Sequence, residues 1–343
     1  MPYRRQKDIS NIRTSAIRKK ENAVVIGAGI IGLTTALKAQ EAGYKVRIIA
    51  DRPPLETTSA KAGAVFEPYQ PGNMSSVDML QFVEVGLREY GKIIDTYPEA
   101  KSGIRAHDLY STSVTTIDPT TLPFLPAIPS WKFITQDIPG HGRYQSAVVL
   151  QDVPMIDPTK TLPFLTERFI RNGGTMQVPA PKILNMQEFL LSIPEKVVFN
   201  CTGLGAKELL GDPEIHPMRG QIVILNKTPD WEHSILGDDV FYIFPRMTTT
   251  VLGGTTELGE SEETTTTEAV QRIIDGAQKI MDFDPVKDVA TTYAALRPYR
   301  KTGVDVSLEY VHGKKHIKVI GFGGSGWTFN WGAAEKAIVL ATE

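Results

Sequence analysis

Two short segments near the start of the chain have the pattern of strands, and the first, an unbroken apolar run, is typical of a strand that is buried on both faces. The first is Ala23-Val24-Val25-Ile26, and the second runs from Lys45 to Ala50 and ends at Asp51. Between them, a glycine-rich turn is followed by a helix-like stretch from Leu33 to Glu41. This order predicts a β-α-β unit whose two strands are parallel.

Further elements follow from the spacing of apolar residues later in the chain. Residues 75–96 and 264–283 show helical spacing, and Asp157-Pro158 is typical of the start of another helix. β-Branched and aromatic residues predict strands at residues 196–201, 219–226, 241–255 and 317–320. A glycine-rich turn and a last helix follow. Residues 97–145 are predicted to hold irregular structure and strands of a second domain.

Composition and charge narrow the class of protein. Of the 343 residues, 41% are hydrophobic and 22% charged, which is ordinary for a globular protein with one large domain or two interleaved ones. The formal net charge of −2 argues against a nucleic-acid partner. Cys201 is the only cysteine, which excludes an intrachain disulfide and favours an intracellular compartment. The six histidines lack metal-ligand spacing, so we expect no metal site.

The hydropathy and the two ends of the chain bear on its location. No run of about 18 apolar residues is present, so we expect a soluble protein without a membrane span. Residues 1–22 are rich in Lys and Arg and lack the apolar segment of a signal peptide. We interpret them as a flexible basic tail, with a transit peptide as the alternative. The last residues, Ala341-Thr342-Glu343, are not a peroxisomal signal, and both cytoplasmic and peroxisomal locations stay open.

Gly27, Gly29 and Gly32 form a GxGxxG motif directly after the first strand. The first glycine permits a tight turn, the second lets the backbone approach a pyrophosphate, and the third lets helix and strand pack closely. The helix N-terminus then faces the phosphates. Asp51 lies 19 residues after Gly32, where a carboxylate can bind ribose hydroxyls. The motif predicts a dinucleotide site but does not separate FAD from NAD.

A longer set of sequence blocks resembles the D-amino acid oxidase family. The first block is Arg52 to Tyr69, which includes Thr57-Thr58-Ser59 and Ala62-Gly63-Ala64. The others, in family order, are Val198 to Gly203, Arg219-Gly220-Gln221, Tyr242 to Pro245, Leu252 to Thr255, Leu296 to Arg300 and Gly321 to Ala334. The resemblance covers the chain from about residue 23 to its end.

The resemblance implies an α/β fold (α+β overall) with FAD as cofactor. A Rossmann-like FAD-binding domain with a doubly wound parallel sheet would comprise residues 23–70, 146–212 and 303–343. A β-rich, mainly antiparallel substrate domain would comprise residues 71–145 and 213–302. Together, the motif and the resemblance assign the following residues to the cofactor: Gly27, Ala28, Gly29, Ile31, Gly32, Asp51, Arg52, Thr57, Thr58, Ser59, Ala62, Gly63, Ala64, Thr202, Gly203, Gly323, Gly324, Ser325, Gly326, Trp327 and Thr328.

The resemblance also implies three roles at the substrate. Arg297 would pair with the substrate carboxylate, which suits the bidentate geometry of a guanidinium. Tyr242 would donate its hydroxyl to the same carboxylate, and the backbone carbonyl of Gly324 would accept the substrate amino group. The chain departs from the family where vertebrate members have a second active-site tyrosine, since Asp238 stands there. The short connection from Gln221 to Tyr242 indicates that a long active-site lid is absent.

The implied reaction is oxidative deamination of a D-amino acid. A hydride passes from the α-carbon to flavin N5, the imino acid is hydrolysed to a 2-oxo acid and ammonia, and O₂ is reduced to H₂O₂. Neutral substrates are expected, because Asp238 near the pocket would repel an acidic side chain. Three alternatives stay open: a D-aspartate-type oxidase with Arg219 or Arg246 as second cation, an oxidase or dehydrogenase of secondary or N-methylated amino acids, and a non-catalytic flavin-binding redox protein. A homodimer is expected from the family.

Overall fold

The computed structural model describes residues 21–140, 142–238 and 241–343. The prediction of a basic tail over residues 1–22 therefore lies outside the described residues, except at its end, where the first strand begins at Asn22. The helices are, in chain order, α1 (Ile30–Glu41), α2 (Ser76–Thr96), α3 (Glu99–Ser102), α4 (Pro158–Arg171), α5 (Met186–Ser192), α6 (Ala206–Leu210), α7 (Thr267–Gln278) and α8 (Gly326–Thr342).

The strands build two sheets. They are β1 (Asn22–Ile26), β2 (Lys45–Ile49), β3 (Ile104–Ser113), β4 (Trp131–Ile134), β5 (Ser146–Ile156), β6 (Thr175–Gln177), β7 (Val197–Asn200), β8 (Ile215–Leu225), β9 (Ser234–Gly237), β10 (Tyr242–Pro245), β11 (Thr250–Gly253), β12 (Glu257–Leu258), β13 (Val289–Arg300), β14 (Asp305–Val311) and β15 (Lys314–Ile320).

The first sheet has six strands in the order β14-β15-β7-β1-β2-β6 and is parallel except at β14. Successive residues of β1 are buried on opposite faces of the sheet, as the apolar run predicts. Val25 packs on the side of α1 and α8, whereas Val24 packs with Met186 and Leu190 of α5. Helices on both faces confirm the doubly wound parallel sheet.

The second sheet has nine strands in the order β12-β8-β11-β10-β9-β3-β5-β4, with β13 also paired to β8. Its pairs are antiparallel except for that between β3 and β9, which confirms the β-rich, mainly antiparallel second unit. Helix α7 covers one face through Ile273, Ile274 and Ala277. It is shorter than the predicted 264–283, because the Thr266 hydroxyl accepts a hydrogen bond from Ala269 N and fixes the start of the helix.

The division into domains stays a prediction, and one strand bears on its bounds. β5 pairs with β3 along most of its length and so belongs to the second sheet, whereas the predicted flavin domain resumes at residue 146. Membership of the sheet therefore favours a boundary near Asp157, whose side chain caps the start of α4. Within the described ranges, none of the helices combines the length and apolar composition of a membrane span.

Candidate active site

A cavity of about 510 Å³ is lined by residues of both sheets. At one end it reaches the carboxyl ends of β1 and β2, and at the other end it reaches Tyr242 and Arg297. All residues that the sequence assigns to the cofactor line this cavity except Gly32, Ser325 and Thr328, and all three predicted substrate residues line it. The predicted site is therefore brought together from widely separated parts of the chain.

The GxGxxG turn has the geometry that each glycine was expected to permit. Gly27 has φ +110°, and a side chain there would overlap the carbonyl oxygen of Cys201. A side chain on Gly32 would overlap the carbonyl of Gly27, so this glycine serves helix–strand packing and lies behind the cavity wall. Helix α1 begins at Ile30, whose N–H donates to Ser59 Oγ at 3.0 Å. The N-terminus of α1 thus faces the cavity, where it favours a pyrophosphate.

Asp51 follows the end of β2 and lines the cavity, and its contact with a ribose stays a prediction. Its carboxylate accepts a hydrogen bond of 3.3 Å from the neighbouring Arg52, and both side chains are about half exposed. The carboxylate, the bare glycine backbone and the helix N-terminus together match the chemical groups of a dinucleotide. The described residues therefore fit an adenine dinucleotide cofactor at this end.

The segment Ala62-Gly63-Ala64 is held from behind by a buried arginine. Arg246 donates from Nη2 to the carbonyl oxygens of Ala62 and Gly63, at 2.9 and 3.1 Å. Its guanidinium also lies 3.8 Å from the carboxylate of Asp157, and burial lowers its pKa. This role of Arg246 was not predicted from the sequence, because the contact between the end of β10 and residues 62–63 forms only in the folded chain.

Both candidate cations for an acidic substrate have other partners. Arg246 does not line the cavity and serves the backbone of residues 62–63. Arg219 pairs with Glu257 and lies 3.9 Å from Glu260. That one of them supplies a second cation stays a prediction, which this arrangement does not favour, because the carboxylates and carbonyls of neighbouring strands already engage them.

The glycine block at the start of α8 packs tightly on residues 67–70. A side chain on Gly324 would overlap the ring of Tyr69, and Ser325 Oγ both donates to Tyr69 O and accepts from Tyr69 N, each at 2.9 Å. Thr328 Oγ1 donates to Glu67 O at 2.9 Å. The side chains of Ser325 and Thr328 thus hold this loop in place and lie behind the cavity wall. Contact of either with the cofactor stays a prediction.

Arg297 and Tyr242 converge at the substrate end. A side chain at Gly220 would overlap the Arg297 guanidinium, and one at Gly253 would overlap the Tyr242 ring. Each of the two groups therefore packs directly against the backbone of a glycine. Arg297 Nη1 donates to Thr255 O at 3.0 Å. Burial raises the pKa of Tyr242, although the charge of Arg297 and a side-chain hydrogen bond to it act in the opposite direction. The phenol therefore stays protonated at neutral pH and can donate a hydrogen bond.

Tyr69 is a further residue at this end that sequence reasoning missed. The Arg297 guanidinium lies 5.7 Å from the centre of its ring, which is within cation–π range. The Tyr69 hydroxyl hydrogen-bonds Thr256 Oγ1. Tyr69 is the last residue of the first family block, but the sequence does not show whether its side chain lines the cavity or is buried in the core. Only the direction of the side chain in the structure decides this.

Glu67 is one of the carboxyl groups that line the cavity, whereas Asp238 lies outside it. Asp238 is exposed, does not line the cavity, and accepts a hydrogen bond from Ser113 Oγ. It misses the pocket because β9 ends at Gly237 and the chain then turns toward the end of β3. Glu67 does line the cavity, and burial raises the pKa of its carboxyl to about 7.

Comparison with known proteins agrees with this site. The family model described as FAD dependent oxidoreductase matches residues 22–339. The chain is 30% identical to a D-amino-acid oxidase of Rubrobacter xylanophilus over 93% of this chain and 95% of that protein. It is 29% identical to a D-amino-acid oxidase of Streptomyces coelicolor over 93% and 96% of the two chains.

Solved structures extend the comparison to the fold. Glycine oxidase from Bacillus cereus superimposes with a TM-score of 0.75 at 15% identity, over 94% of this chain and 97% of that one. At this identity the likeness concerns the fold alone. With the family match over almost the whole chain, and a cavity whose glycine turn and acidic residue fit the dinucleotide, this chain belongs to the FAD dependent oxidoreductase family, with FAD as its cofactor.

Proposed function

We propose that this protein is an FAD-dependent D-amino-acid oxidase. The observation that carries the proposal is the convergence of Arg297 and Tyr242 at the end of the cavity away from the glycine turn. A cation and a phenol donor at one point are the groups that a carboxylate requires. The relatives that match over almost the whole chain are named D-amino-acid oxidases, which supports the same reading.

Each residue of the site has a defined task in this reaction. The Arg297 guanidinium binds the substrate carboxylate, and the protonated Tyr242 donates a second hydrogen bond to it. The resemblance gives the Gly324 carbonyl the task of accepting a hydrogen bond from the amino group. Bound FAD supplies the acceptor for the hydride of the α-carbon and a route for its two electrons to O₂.

No side chain has to remove a proton from the α-carbon, because the hydrogen departs with its electron pair. The amino acid becomes an imino acid, and water converts this product to a 2-oxo acid and ammonia. The two electrons and two protons reduce O₂ to H₂O₂. The residues of the site act by fixing the orientation of the carboxylate and amine, which is a large part of the rate enhancement of such an enzyme.

The test is release of H₂O₂ from FAD-loaded protein given each D- and L-amino acid. We expect peroxide with D-isomers, its loss in Arg297→Ala, and normal activity in Lys301→Ala, which removes an exposed cation four residues away. Bleaching of the flavin without peroxide would instead indicate a dehydrogenase. Bleaching by secondary or N-methylated amino acids alone, or by none, would overturn the proposal.

An intracellular location and a homodimer are further proposals. The first is supported by the single cysteine, and the second by the family resemblance. Sedimentation of the FAD-loaded protein over a range of concentrations tests the dimer.

A further inference from the structure

Glu67 presents a carboxyl oxygen for which the described residues provide no hydrogen-bond partner. Oε1 accepts a hydrogen bond of 3.2 Å from Ser111 Oγ. Oε2 is buried, and no described residue donates to it. Glu67 lines the cavity, so a ligand that enters the cavity lies next to this residue. A buried carboxyl oxygen without a partner is costly, and in native proteins such a group calls for an explanation, such as a catalytic role or a bound ion or water.

The position of Glu67 relative to the carboxylate-binding pair follows from the register of the second sheet. Ser111 is directly opposite Leu236 on β9, and Leu236 is directly opposite Tyr242 on β10. Residues directly opposite each other point to the same face, so Ser111, with Glu67 above it, lies two strand spacings from Tyr242, or about 10 Å. Leu236 and Tyr242 both line the cavity, in agreement with a shared face for these two residues.

Arg297 lies on the other side of Tyr242. Its guanidinium rests on Gly220 of β8, and β8 is separated from β10 by β11. Across the face, the order is therefore Glu67 with Ser111, then Leu236, then Tyr242, then Arg297. A substrate whose carboxylate is bound by Arg297 and Tyr242 can extend its side chain across the apolar Leu236 toward Glu67.

We infer that the site takes D-amino acids with a long cationic side chain, whose terminal cation pairs with Glu67 while the methylene groups cover Leu236. The inference rests on the proposed function and names its substrate class. It replaces the expectation of neutral substrates, which depended on Asp238. A bound cation would supply the missing partner of Oε2 and favour the charged form of a carboxyl group whose pKa burial raises to about 7. An acidic side chain would meet a like charge instead.

The first test compares substrates of equal shape that differ in charge. At pH 8.5 we expect kcat/KM to be about 10- to 100-fold higher for D-lysine than for D-norleucine, and for D-arginine than for D-citrulline, the range typical of a hydrogen bond to a charged group. Glu67→Gln keeps the shape and removes the charge. In this variant the ratios should fall to near one through loss of activity on the cationic substrates.

Asp238→Asn is the matched control, because it removes a carboxylate that lies outside the cavity. Its ratios should equal those of the parent protein. Equal kcat/KM for D-lysine and D-norleucine in the parent protein overturns the inference while leaving the proposed function intact. A ratio that Glu67→Gln does not change also overturns it. Absence of reaction with every D-amino acid overturns the proposed function and the inference together.

A binding measurement supplies a readout that does not depend on turnover. 6-Aminohexanoate and hexanoate retain the carboxylate of lysine and norleucine but lack the α-amino group, so neither can be deaminated there. Calorimetry with FAD-loaded protein should show tighter binding of 6-aminohexanoate by about tenfold or more, with the difference lost in Glu67→Gln. Ser111→Ala, which leaves the carboxyl in place, should retain it. Equal Kd values for the two acids in the parent protein would contradict the inference.

Discussion

The guanidinium of Arg297 rests directly on the backbone of Gly220, with no room for a side chain between them. A methyl group at position 220 would overlap Cζ and both terminal nitrogens of the guanidinium. Gly220 does not have a positive φ, so glycine is required there for space and not for backbone conformation. The group that we propose to bind the substrate carboxylate is thus positioned by a residue on a different strand, which pairs with β13 in register.

Gly220→Ala should therefore damage substrate binding without removing any functional group. The Arg297 side chain must shift by about the width of a methyl group, and a misplacement of roughly 1 Å can cost about 100-fold in rate. We expect kcat/KM for D-amino acids to fall by about that factor, with FAD content unchanged. Steady-state peroxide kinetics measure the first quantity, and the visible flavin spectrum measures the second.

Gly91→Ala is the control for this substitution. Gly91 lies in α2, and a side chain there would meet open space. Its kcat/KM should equal that of the parent protein, and alanine should favour the helix slightly. A Gly220→Ala protein with unaltered kinetics would show that the position of the Arg297 guanidinium does not depend on a glycine at residue 220.

Arg246→Met should weaken FAD binding, although Arg246 does not line the cavity. Its loss removes the two hydrogen bonds that hold the carbonyls of Ala62 and Gly63, and it leaves the carboxylate of Asp157 without this cation. We expect the Kd for FAD to rise by about tenfold or more, given the strength of hydrogen bonds from charged donors. Quenching of flavin fluorescence on titration of apoprotein with FAD measures it.

Arg105→Met is the matched control. Arg105 also donates to a backbone carbonyl, that of Pro245, at 3.2 Å, but it is not among the residues that line the cavity. Its Kd for FAD should stay at the parent value. Equal Kd values for the two variants would contradict a specific role for Arg246.

The parallel sheet and the nucleotide end of the site were predictable because their signals are local. The apolar run of β1, the glycines after it and Asp51 at the end of β2 lie within 30 residues. In that order they are typical of a dinucleotide-binding β-α-β unit. The family blocks also pointed to Arg297 and Tyr242, and the structure brings both residues to the cavity, while their role at a carboxylate stays a proposal.

The wall of the substrate pocket was not predictable in the same way. Whether Glu67 or Asp238 reaches the pocket depends on the strand register between β3, β9 and β10. β3 and β9 pair in parallel although they are far apart in the sequence. A shift of one residue would send every side chain of such a strand to the other face. Sequence spacing placed Asp238 beside Tyr242, whereas the fold turns it toward Ser113.

Cys201 should be inert to thiol reagents in the folded protein. It is buried at the end of β7 and lines the cavity beside the glycine turn, and burial raises the pKa of its thiol to about 12. The reactive thiolate is therefore scarce at pH 8. With an aromatic disulfide reagent we expect no thiol titrated in native FAD-loaded protein and one per chain in guanidinium chloride. Rapid reaction of the native protein would contradict this burial.

The charge of Glu67 should make stability depend on pH in a definite direction. Burial raises the pKa of its carboxyl from the ordinary 4.5 to about 7, so the folded state binds this proton more tightly than the unfolded state does. Its contribution to stability is thus fully present below pH 4.5 and is lost as the pH rises through about 7. A difference of about 2.5 in pKa corresponds to at most roughly 3 kcal/mol.

Glu67→Gln cannot ionise and should escape this loss. In urea denaturation of FAD-loaded protein without substrate, we expect its free energy of unfolding to exceed that of the parent protein by up to about 3 kcal/mol at pH 8.5, and the two to be similar at pH 4.5. Asp238→Asn, at an exposed carboxylate, should show no such pH-dependent gap. A gap of equal size at both pH values would mean that shape, and not charge, separates Gln from Glu at this position. A bound cationic D-amino acid should narrow the gap at pH 8.5, because it stabilises the ionised carboxyl only in the parent protein.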